Sequence, residues 1–315
     1  MRTFRRKPPR HAMLMLLSAA LVVSACNSTS SGGTVNGPKA SKPDRAAAKA
    51  AAMRHCSETT PKFDPKNFVD PTLSTNPFHP LTPGMQWVRG GTTKVGQRVV
   101  PHEIITTMTD VIRDIDGVST VAMLDESTDS GEVAQVGMDY MALDKAGNVW
   151  ILGGYTEEFQ GGAYTNTESA WLGHSDGTLV GILAPAVVTM DTPQWCIAAA
   201  PQETPSVGLP EKVGVKTCVK FGCFDDVRVV REGEATAPDN EHKYYARGVG
   251  VIKNIPQDAS LHKDNFELYN FTTLSAAGLS RASQTLLDLE KHARTTEPDV
   301  FGTAPESRRE SRRAK

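Results

Sequence analysis

This sequence has few aromatic residues, no apolar run long enough to span a membrane as a helix, and no strong net charge. Aromatic side chains make up only 6% of the 315 residues, whereas glycine (26) and proline (20) are frequent enough to predict many turns. The chain has 39% hydrophobic and 22% charged residues. This composition is typical of a folded soluble domain and excludes both a wholly disordered chain and a polytopic membrane protein.

Basic residues are too few for a nucleic-acid partner. The chain has 34 basic and 36 acidic residues, and residues 1–25 contain five of the basic ones and no acidic one. The remainder therefore holds 29 basic and 36 acidic residues, a net charge of −7. Such an acidic body lacks the basic surface that DNA- and RNA-binding proteins use, so we expect no nucleic-acid partner.

The sequence also lacks the short motifs that mark common catalytic and cofactor sites. It has no P-loop, no dinucleotide-binding fingerprint and no His-Glu-x-x-His zinc motif. Because its histidines are widely spaced, a metal site would have to be assembled by the fold. We therefore expect no cofactor and no metal. The histidines weighed as ligands are His79, His102, His174, His242 and His262.

The N-terminus has the three parts of a bacterial export signal. Residues 2–10 carry five positive charges, and residues 13–23 form an apolar core. That core is shorter than the roughly 20 residues that a membrane-spanning helix needs. The following Val-Ser-Ala-Cys, which ends at Cys26, resembles the lipobox that is cleaved before a lipidated cysteine. We expect Cys26 to be lipidated and to anchor the chain; the alternative is an ordinary secretory signal with a chance cysteine.

Four further cysteines predict two disulfides, because an even number is typical of exported chains. Residues 213–232 have the pattern of a hairpin, which would place Cys218 opposite Cys223 at a distance that a disulfide can bridge. Cys56 would then pair with Cys196 and join the tether to the domain. The alternatives are four free buried thiols or a zinc site, which the spacing disfavours.

Composition divides the chain into five segments. Residues 1–25 form the lipoprotein signal peptide, and residues 26–75 form a flexible tether rich in serine, glycine, alanine and lysine. Residues 76–260 form an antiparallel β domain. A C-terminal strand and helix occupy residues 261–294, and residues 295–315 are predicted to be a disordered basic tail.

Turn signals separate short apolar runs throughout the β domain. Asp116-Gly117 and Gly161-Gly162 each lie between stretches rich in β-forming residues, and a late strand is predicted over residues 244–252. Frequent turns with almost no helix between the strands favour antiparallel pairing over a doubly wound α/β fold. The predicted fold is mainly β, an antiparallel meander sheet or an open barrel, with one C-terminal amphipathic helix.

That helix is predicted over residues 280–294. Its apolar residues recur at spacings of three and four, with charged residues on the opposite face. The stripe should therefore pack on the sheet. Its members are Ala282, Leu286, Leu289 and Ala293.

Three stretches carry a recognisable pattern: residues 76–87 (Asn-Pro-Phe-His-Pro-Leu-Thr-Pro-Gly-Met-Gln-Trp), 144–153 (Asp-Lys-Ala-Gly-Asn-Val-Trp-Ile-Leu-Gly) and 241–251 (Glu-His-Lys-Tyr-Tyr-Ala-Arg-Gly-Val-Gly-Val). Together they resemble a family of exported bacterial β-proteins and lipoproteins of unknown function. The resemblance extends over residues 76–255 and implies a β fold and export, but no activity. The sequence departs from the family pattern at Gly154, where an acidic residue is usual, and at Arg247, where proline is usual.

Residues 173–177, Gly-His-Ser-Asp-Gly, match the Gly-x-Ser-x-Gly pattern of serine hydrolases. That pattern needs a strand before it and a helix after it, whereas the following Thr-Leu-Val-Gly is not helical. A hairpin turn is the preferred interpretation. The alternative is a lipid-anchored serine hydrolase that uses Ser175 as nucleophile with His242 or His262 as base.

Residues 125–132 are acidic and have the composition of a loop. They do not fit a calcium loop of the EF-hand type, since Ser127 takes the third position and Gly131 the seventh. We predict a solvated turn here, with weak calcium binding as the alternative.

The sequence thus predicts the location of the protein better than its activity. We expect a lipoprotein on the outer side of the cell membrane or in the envelope, most simply a non-catalytic protein that binds a ligand or an envelope partner. An inward apolar groove in the sheet would favour a carrier of a hydrophobic ligand.

Overall fold

The structure, a computed structural model, describes residues 45–175, 177–200, 203–234, 240–261 and 265–310. Cys26 and His262 lie outside these ranges. Within them the chain forms two α-helices, α1 (Arg45–Thr59) and α2 (Ala276–Thr296), and fifteen strands. The strands are β1 (Phe68–Val69), β2 (Met85–Val95), β3 (Arg98–Ile115), β4 (Val118–Asp129), β5 (Glu132–Asp144), β6 (Val149–Gln160), β7 (Ala163–Leu172), β8 (Leu179–Ala184), β9 (Trp195–Ala199), β10 (Ser206–Val219), β11 (Gly222–Glu234), β12 (Glu241–Ala246), β13 (Gly250–Pro256), β14 (Asn265–Thr273) and β15 (Arg308–Arg309).

Twelve of these strands close into an antiparallel barrel. The order around the wall is β2-β3-β4-β5-β6-β8-β9-β10-β11-β12-β13-β14, and β14 pairs with β2 to complete the ring. Strands β1, β7 and β15 lie off the ring and pair with β5, β6 and β3 respectively. The prediction of a mainly β, antiparallel fold is confirmed, and of the two predicted architectures the chain forms the barrel rather than the meander.

Tight turns connect neighbouring strands of the wall. In the β3–β4 turn, Asp116 and Gly117 have φ values of 50° and 78°, and in the β6–β7 turn Gly161 and Gly162 have values of 58° and 76°. Two consecutive residues with positive φ match the twist of a two-residue hairpin, which explains why Asp-Gly and Gly-Gly lie at these points.

The prediction of one late strand over residues 244–252 is wrong, because the chain reverses direction between Ala246 and Gly250. Strands β12 and β13 form a hairpin whose turn contains Gly248, with φ 77°, and leads into Gly250, with φ 90°. The Gly248 amide donates to the carbonyl of Pro77 at 2.6 Å. The glycines therefore permit the tight turn that separates β12 from β13.

Apolar side chains pack on both faces of the wall. Outside the barrel, α2 buries a stripe against β3–β6, and the predicted members Leu286, Leu289 and Ala293 lie in it. Inside the barrel, a second cluster fills the end near the β12–β13 turn. That cluster includes Leu81, Met108, Val121, Met141, Leu143, Val149, Val227, Ile252 and Leu268.

The segment before β2 is fastened across this end of the barrel. The Asn76 amide nitrogen donates to the carbonyls of Gly147 and Ala184, each at 3.0 Å. Its side-chain oxygen accepts from the backbone amides of Phe78 and His79 at 3.0 and 3.1 Å. One buried asparagine thus fixes the loop that carries His79 towards the barrel interior.

Two disulfides occur among the described residues. Cys56 of α1 is bonded to Cys196 of β9, and β1 pairs with β5. The prediction of a flexible tether over residues 26–75 is therefore wrong from Arg45 onwards, because this part of the chain is attached to the barrel wall. Cys218 is bonded to Cys223 across the β10–β11 hairpin. The amide of Phe221, at the tip of that hairpin, donates to the carbonyl of Leu268 at 3.0 Å.

Residues 298–310, within the predicted disordered tail, are ordered on the barrel. Phe301 is fully buried, and Arg309 donates to both carboxylate oxygens of Asp110 at 2.9 and 2.8 Å. The prediction fails because an apolar ring and a cation each find a partner that is distant in sequence. Among the described residues, no helix combines the length and apolarity of a membrane span.

Candidate functional site

A cavity of about 380 Å³ lies inside the barrel, next to the inner apolar cluster. This volume is within the range of small-molecule sites, roughly 300–1,000 Å³. Because side chains alternate along a strand, every second residue of β2–β5 points into it. These residues are Trp87, Arg89, His102, Ile104, Thr106, Met108, Met123, Asp125, Ser127, Gln135, Gly137, Asp139 and Met141.

Much of the wall is apolar and adaptable. Three methionine side chains face the cavity, together with Trp87, Leu183 and Phe266. Methionine side chains are flexible and polarisable, so they adjust to ligands of different shape better than branched residues do. The methionines are Met108, Met123 and Met141.

A buried arginine begins the polar side of the cavity. Arg89, 8% exposed, donates from Nε to the carbonyl of Val251 at 2.9 Å and from Nη1 to the Thr106 hydroxyl at 2.8 Å. Thr106 in turn donates to Asp125. Burial lowers the pKa of Arg89 to about 10, so it remains charged at neutral pH. Burial raises the pKa of Asp125 even though Arg89 and Thr106 favour its ionised form.

Asp139, on β5, is the cavity carboxyl that receives the fewest hydrogen bonds from the described residues. Within the described residues it accepts no hydrogen bond. Burial and then the charge of Asp125 raise the pKa of Asp139 to about 7, with Lys243 opposing them. Its cross-strand partner is Gly154, and a Cβ at that glycine would lie 2.8 Å from Asp139 Oδ1. The glycine therefore leaves the room that the Asp139 carboxyl occupies.

The remaining ionisable groups of the cavity are either paired or neutral. Lys243 Nζ lies 3.1 Å from Glu232 Oε2, and the Tyr245 hydroxyl donates to the same carboxylate. His79 Nε2 lies 3.3 Å from Met141 Sδ. Burial, reinforced by Arg89 and Lys243, lowers the pKa of His79 to about 4, so its imidazole is neutral at pH 7.

Ser127 adds an unused polar atom to the same wall. The residue is 7% exposed, lines the cavity, and its hydroxyl has no hydrogen-bond partner in the part of the chain that the structure describes. A buried hydroxyl without a partner costs free energy, roughly 1–3 kcal/mol. A ligand that bonds to this hydroxyl would remove that cost.

The fold does not provide the arrangement of residues that the serine-hydrolase alternative requires. Ser175 is exposed in the turn after β7, and the chain then enters β8 rather than a helix. The neighbouring His174 contacts Asp116, with Nδ1 2.8 Å from Oδ2. His242 lies on β12, with Nδ1 2.5 Å from Glu211 Oε2. The structure therefore does not bring Ser175 and His242 together.

The prediction of a solvated turn over residues 125–132 is wrong for its first half. Strand β4 continues to Asp129, so Asp125 and Ser127 belong to the barrel wall and face the cavity. Acidic and hydroxyl residues are typical of loops, which hid their role. The usable signal was the alternation that carries the inward face from Met123 to Asp125 and Ser127.

No family model and no curated protein matches this chain. Two solved structures are similar to it in part. A protein from Bacteroides fragilis, named as an exported protein with a YmcC-like fold, has a TM-score of 0.36 and 10% identity, over 62% of this chain and 99% of that one. A protein from Parabacteroides distasonis, named as a lipoprotein, has a TM-score of 0.34 and 11% identity, over 62% of this chain and 98% of that one. Neither TM-score establishes a common fold, and no role is carried over from either protein.

Proposed function

We propose that this protein is a lipid-anchored envelope protein that binds a small amphiphilic molecule inside its barrel and catalyses no reaction. One observation carries the proposal: the cavity of about 380 Å³ has methionine and aromatic side chains on one part of its wall and polar groups on another. Ligand pockets of soluble proteins combine these features, a mainly apolar lining and a few convergent polar groups.

The polar groups support a ligand rather than a packing defect. An empty space left by imperfect packing should be lined by apolar atoms, since buried polar groups are costly without partners. Here the buried Ser127 hydroxyl borders the cavity without a hydrogen-bond partner among the described residues, and the half-buried Asp139 borders it with no hydrogen bond to its carboxyl in the same part of the chain. A bound molecule that supplies those bonds would offset the cost.

The membrane is the second proposed partner. The charged start, the short apolar core and the Val-Ser-Ala-Cys sequence support lipidation at Cys26. Lipid at this position would hold the barrel at the surface through the segment that leads to α1. Changing Cys26→Ala should release the protein from the membrane fraction or leave an uncleaved precursor. A mature protein that starts at another residue and carries no acyl mass would contradict the proposal.

The ligand proposal is tested by filling the cavity. Met123 lines the cavity, whereas Met190 is 53% exposed outside it, so Met123→Trp and Met190→Trp form a matched pair. Native mass spectrometry of protein isolated from the envelope should find a bound small molecule on the wild type and on Met190→Trp. Met123→Trp should lose it while keeping its far-ultraviolet circular dichroism. A wild type without a bound molecule, or equal retention by Met123→Trp, would contradict the proposal.

A further inference from the structure

The two cations of the cavity already have partners within the fold. Arg89 donates to Val251 and Thr106, and Lys243 is paired with Glu232. Arg89 uses only two of its five N–H donors in these bonds, but its charge already faces Asp125, as that of Lys243 faces Glu232. Among the described residues, a carboxylate or phosphate in the cavity would therefore meet two cations that each already face a carboxylate of the fold.

What the cavity can still offer a ligand is hydrogen-bond acceptors, namely carboxyl oxygens. On the register of β4 and β5, Asp125 lies opposite Gly137, and Asp139 is two residues further along on the same face. Diagonal neighbours of this kind are about 7–8 Å apart at their backbones, within reach of one small group between their carboxyls. Gly137 places no side chain between the two carboxyls, and the Thr156 hydroxyl borders this recess, 3.0 Å from where a Cβ of Gly137 would lie.

The charges that face this recess make it more suitable for a cation than for an anion. Besides Arg89 and Lys243, four carboxyl residues line the cavity, namely Asp125, Asp139, Glu168 and Glu232, and His79 is neutral. Of the two carboxyls beside the recess, Asp139 receives no hydrogen bond among the described residues. An ammonium group has three N–H donors and no acceptor, which matches what Asp139 lacks.

We propose, on the basis of the ligand-binding function above, that the bound molecule is an amphiphilic amine whose ammonium group lies between Asp139 and Asp125. The methionine-lined wall holds its apolar part. The unpartnered hydroxyl of Ser127, two residues from Asp125 on the same face, accepts or donates a hydrogen bond to a further polar group of the ligand.

The pH dependence follows from the groups that face Asp139. Burial and Asp125 raise its pKa to about 7, and Lys243 opposes them. Below pH 6 Asp139 is mostly protonated and attracts a cation weakly. Above pH 7 it is ionised, and an alkylamine remains protonated to about pH 10. Amine affinity should therefore rise between pH 6 and pH 8, whereas binding of a neutral analogue should not.

Octylamine, octanoate and octan-1-ol test the proposal, because they differ in head group at one chain length. Calorimetric titration at pH 7.5 should show octylamine binding to the purified protein at least about tenfold more tightly than octanoate or octan-1-ol. Asp139→Asn should lose this preference and retain octan-1-ol binding. The control Asp114→Asn removes an exposed carboxylate outside the cavity, paired with Arg308, and should change nothing.

The outcomes separate this inference from the ligand-binding function. If octanoate binds the wild type as tightly as octylamine, or Asp139→Asn keeps the full amine preference, the amine assignment is overturned. If Met123→Trp nevertheless blocks the binding of these compounds, the cavity remains a ligand site. If none of the three compounds binds the wild type, the amine assignment is again overturned. An envelope-derived ligand lost in Met123→Trp would leave the ligand-binding function standing. Should Asp139→Asn fail to fold, the order of affinities on the wild type still decides the assignment.

Discussion

The barrel wall has ionisable groups, buried or half-buried, on both of its faces. On the outer face, under α2, Glu290 and Arg113 form the helix–barrel cluster with Tyr140, Arg294 and Ser307. Glu290 Oε2 accepts from Tyr140 at 2.9 Å. Its Oε1 lies 3.3 Å from Arg113 Nη1 and accepts from Arg294 at 3.4 Å and the Ser307 amide at 3.1 Å.

The cavity cluster on the inner face consists of Arg89, Asp125, Asp139, Lys243 and Glu232. Here the fold supplies donors to Asp125 and Glu232, but among the described residues it supplies none to Asp139. Both clusters contain buried charge, and they differ in whether their carboxylates are used. The comparison teaches that a carboxylate with all its partners holds the fold together, whereas one without partners indicates a place for something else.

The largest effect should come from breaking the helix–barrel cluster. Arg113 is fully buried, with its guanidinium carbon 5.3 Å from the ring centroids of Tyr140 and Phe301. Glu290→Ala would leave that charge without its carboxylate and should lower the free energy of unfolding by about 3–5 kcal/mol. Urea unfolding measures the change, and Asp288→Ala, at an exposed position of α2, is the control. A loss below about 1 kcal/mol would contradict a structural role for this cluster.

A smaller effect of opposite sign should come from the cavity cluster. The pKa of Asp139 is raised from 3.8 to about 7, so the folded state binds its proton more tightly than the unfolded state does. Its contribution to stability is therefore fully present below pH 4 and is lost as the pH rises through 7. Asp139→Asn cannot ionise, and it should be more stable than the wild type at pH 8 by about 1 kcal/mol or more.

The check on Asp139→Asn is urea unfolding at several pH values. The difference from the wild type should vanish near pH 4 and grow towards pH 8, because only the wild type loses a proton at this site. A variant that is less stable than the wild type at pH 8 would show that the Asp139 carboxylate has partners in the fold. The two clusters would then no longer differ in kind.

The contrast also explains how much the sequence could predict. The turns at Asp116-Gly117 and Gly161-Gly162 and the stripe of α2 were predictable, because local backbone preference and periodicity determine them. Barrel closure was not, since it depends on β14 pairing with β2, where Thr273 lies opposite Met85. Pairing between such distant residues leaves no local signal.

The candidate site was hidden for a related reason. Asp125 and Ser127 are polar residues at inward positions, and polarity in a sequence indicates solvent unless the strand is known to continue. The ordered tail was missed in the same way, because Phe301 and Arg309 find their partners only in the folded chain. Sequence patterns therefore predict helices and strands well, but they do not reveal a polar residue that faces inward or a tail that packs on a distant strand.

A serine-to-alanine substitution made once on each face distinguishes the two faces, and the smallest effect of all should be that of Ser127→Ala. Ser283 of α2 is fully buried and donates to Asp110 Oδ1 at 2.6 Å, whereas the buried Ser127 hydroxyl has no partner among the described residues. Ser283→Ala removes a hydrogen bond to a charged group and should cost about 1.5–3 kcal/mol. Ser127→Ala removes only an unsatisfied hydroxyl, so it should change the ligand-free protein by less than about 0.5 kcal/mol or stabilise it slightly. Urea unfolding of the ligand-free variants, side by side, measures both. A cost for Ser127→Ala equal to that for Ser283→Ala would mean that the fold already satisfies this hydroxyl, and the cavity would lose one of the two groups that indicate a ligand.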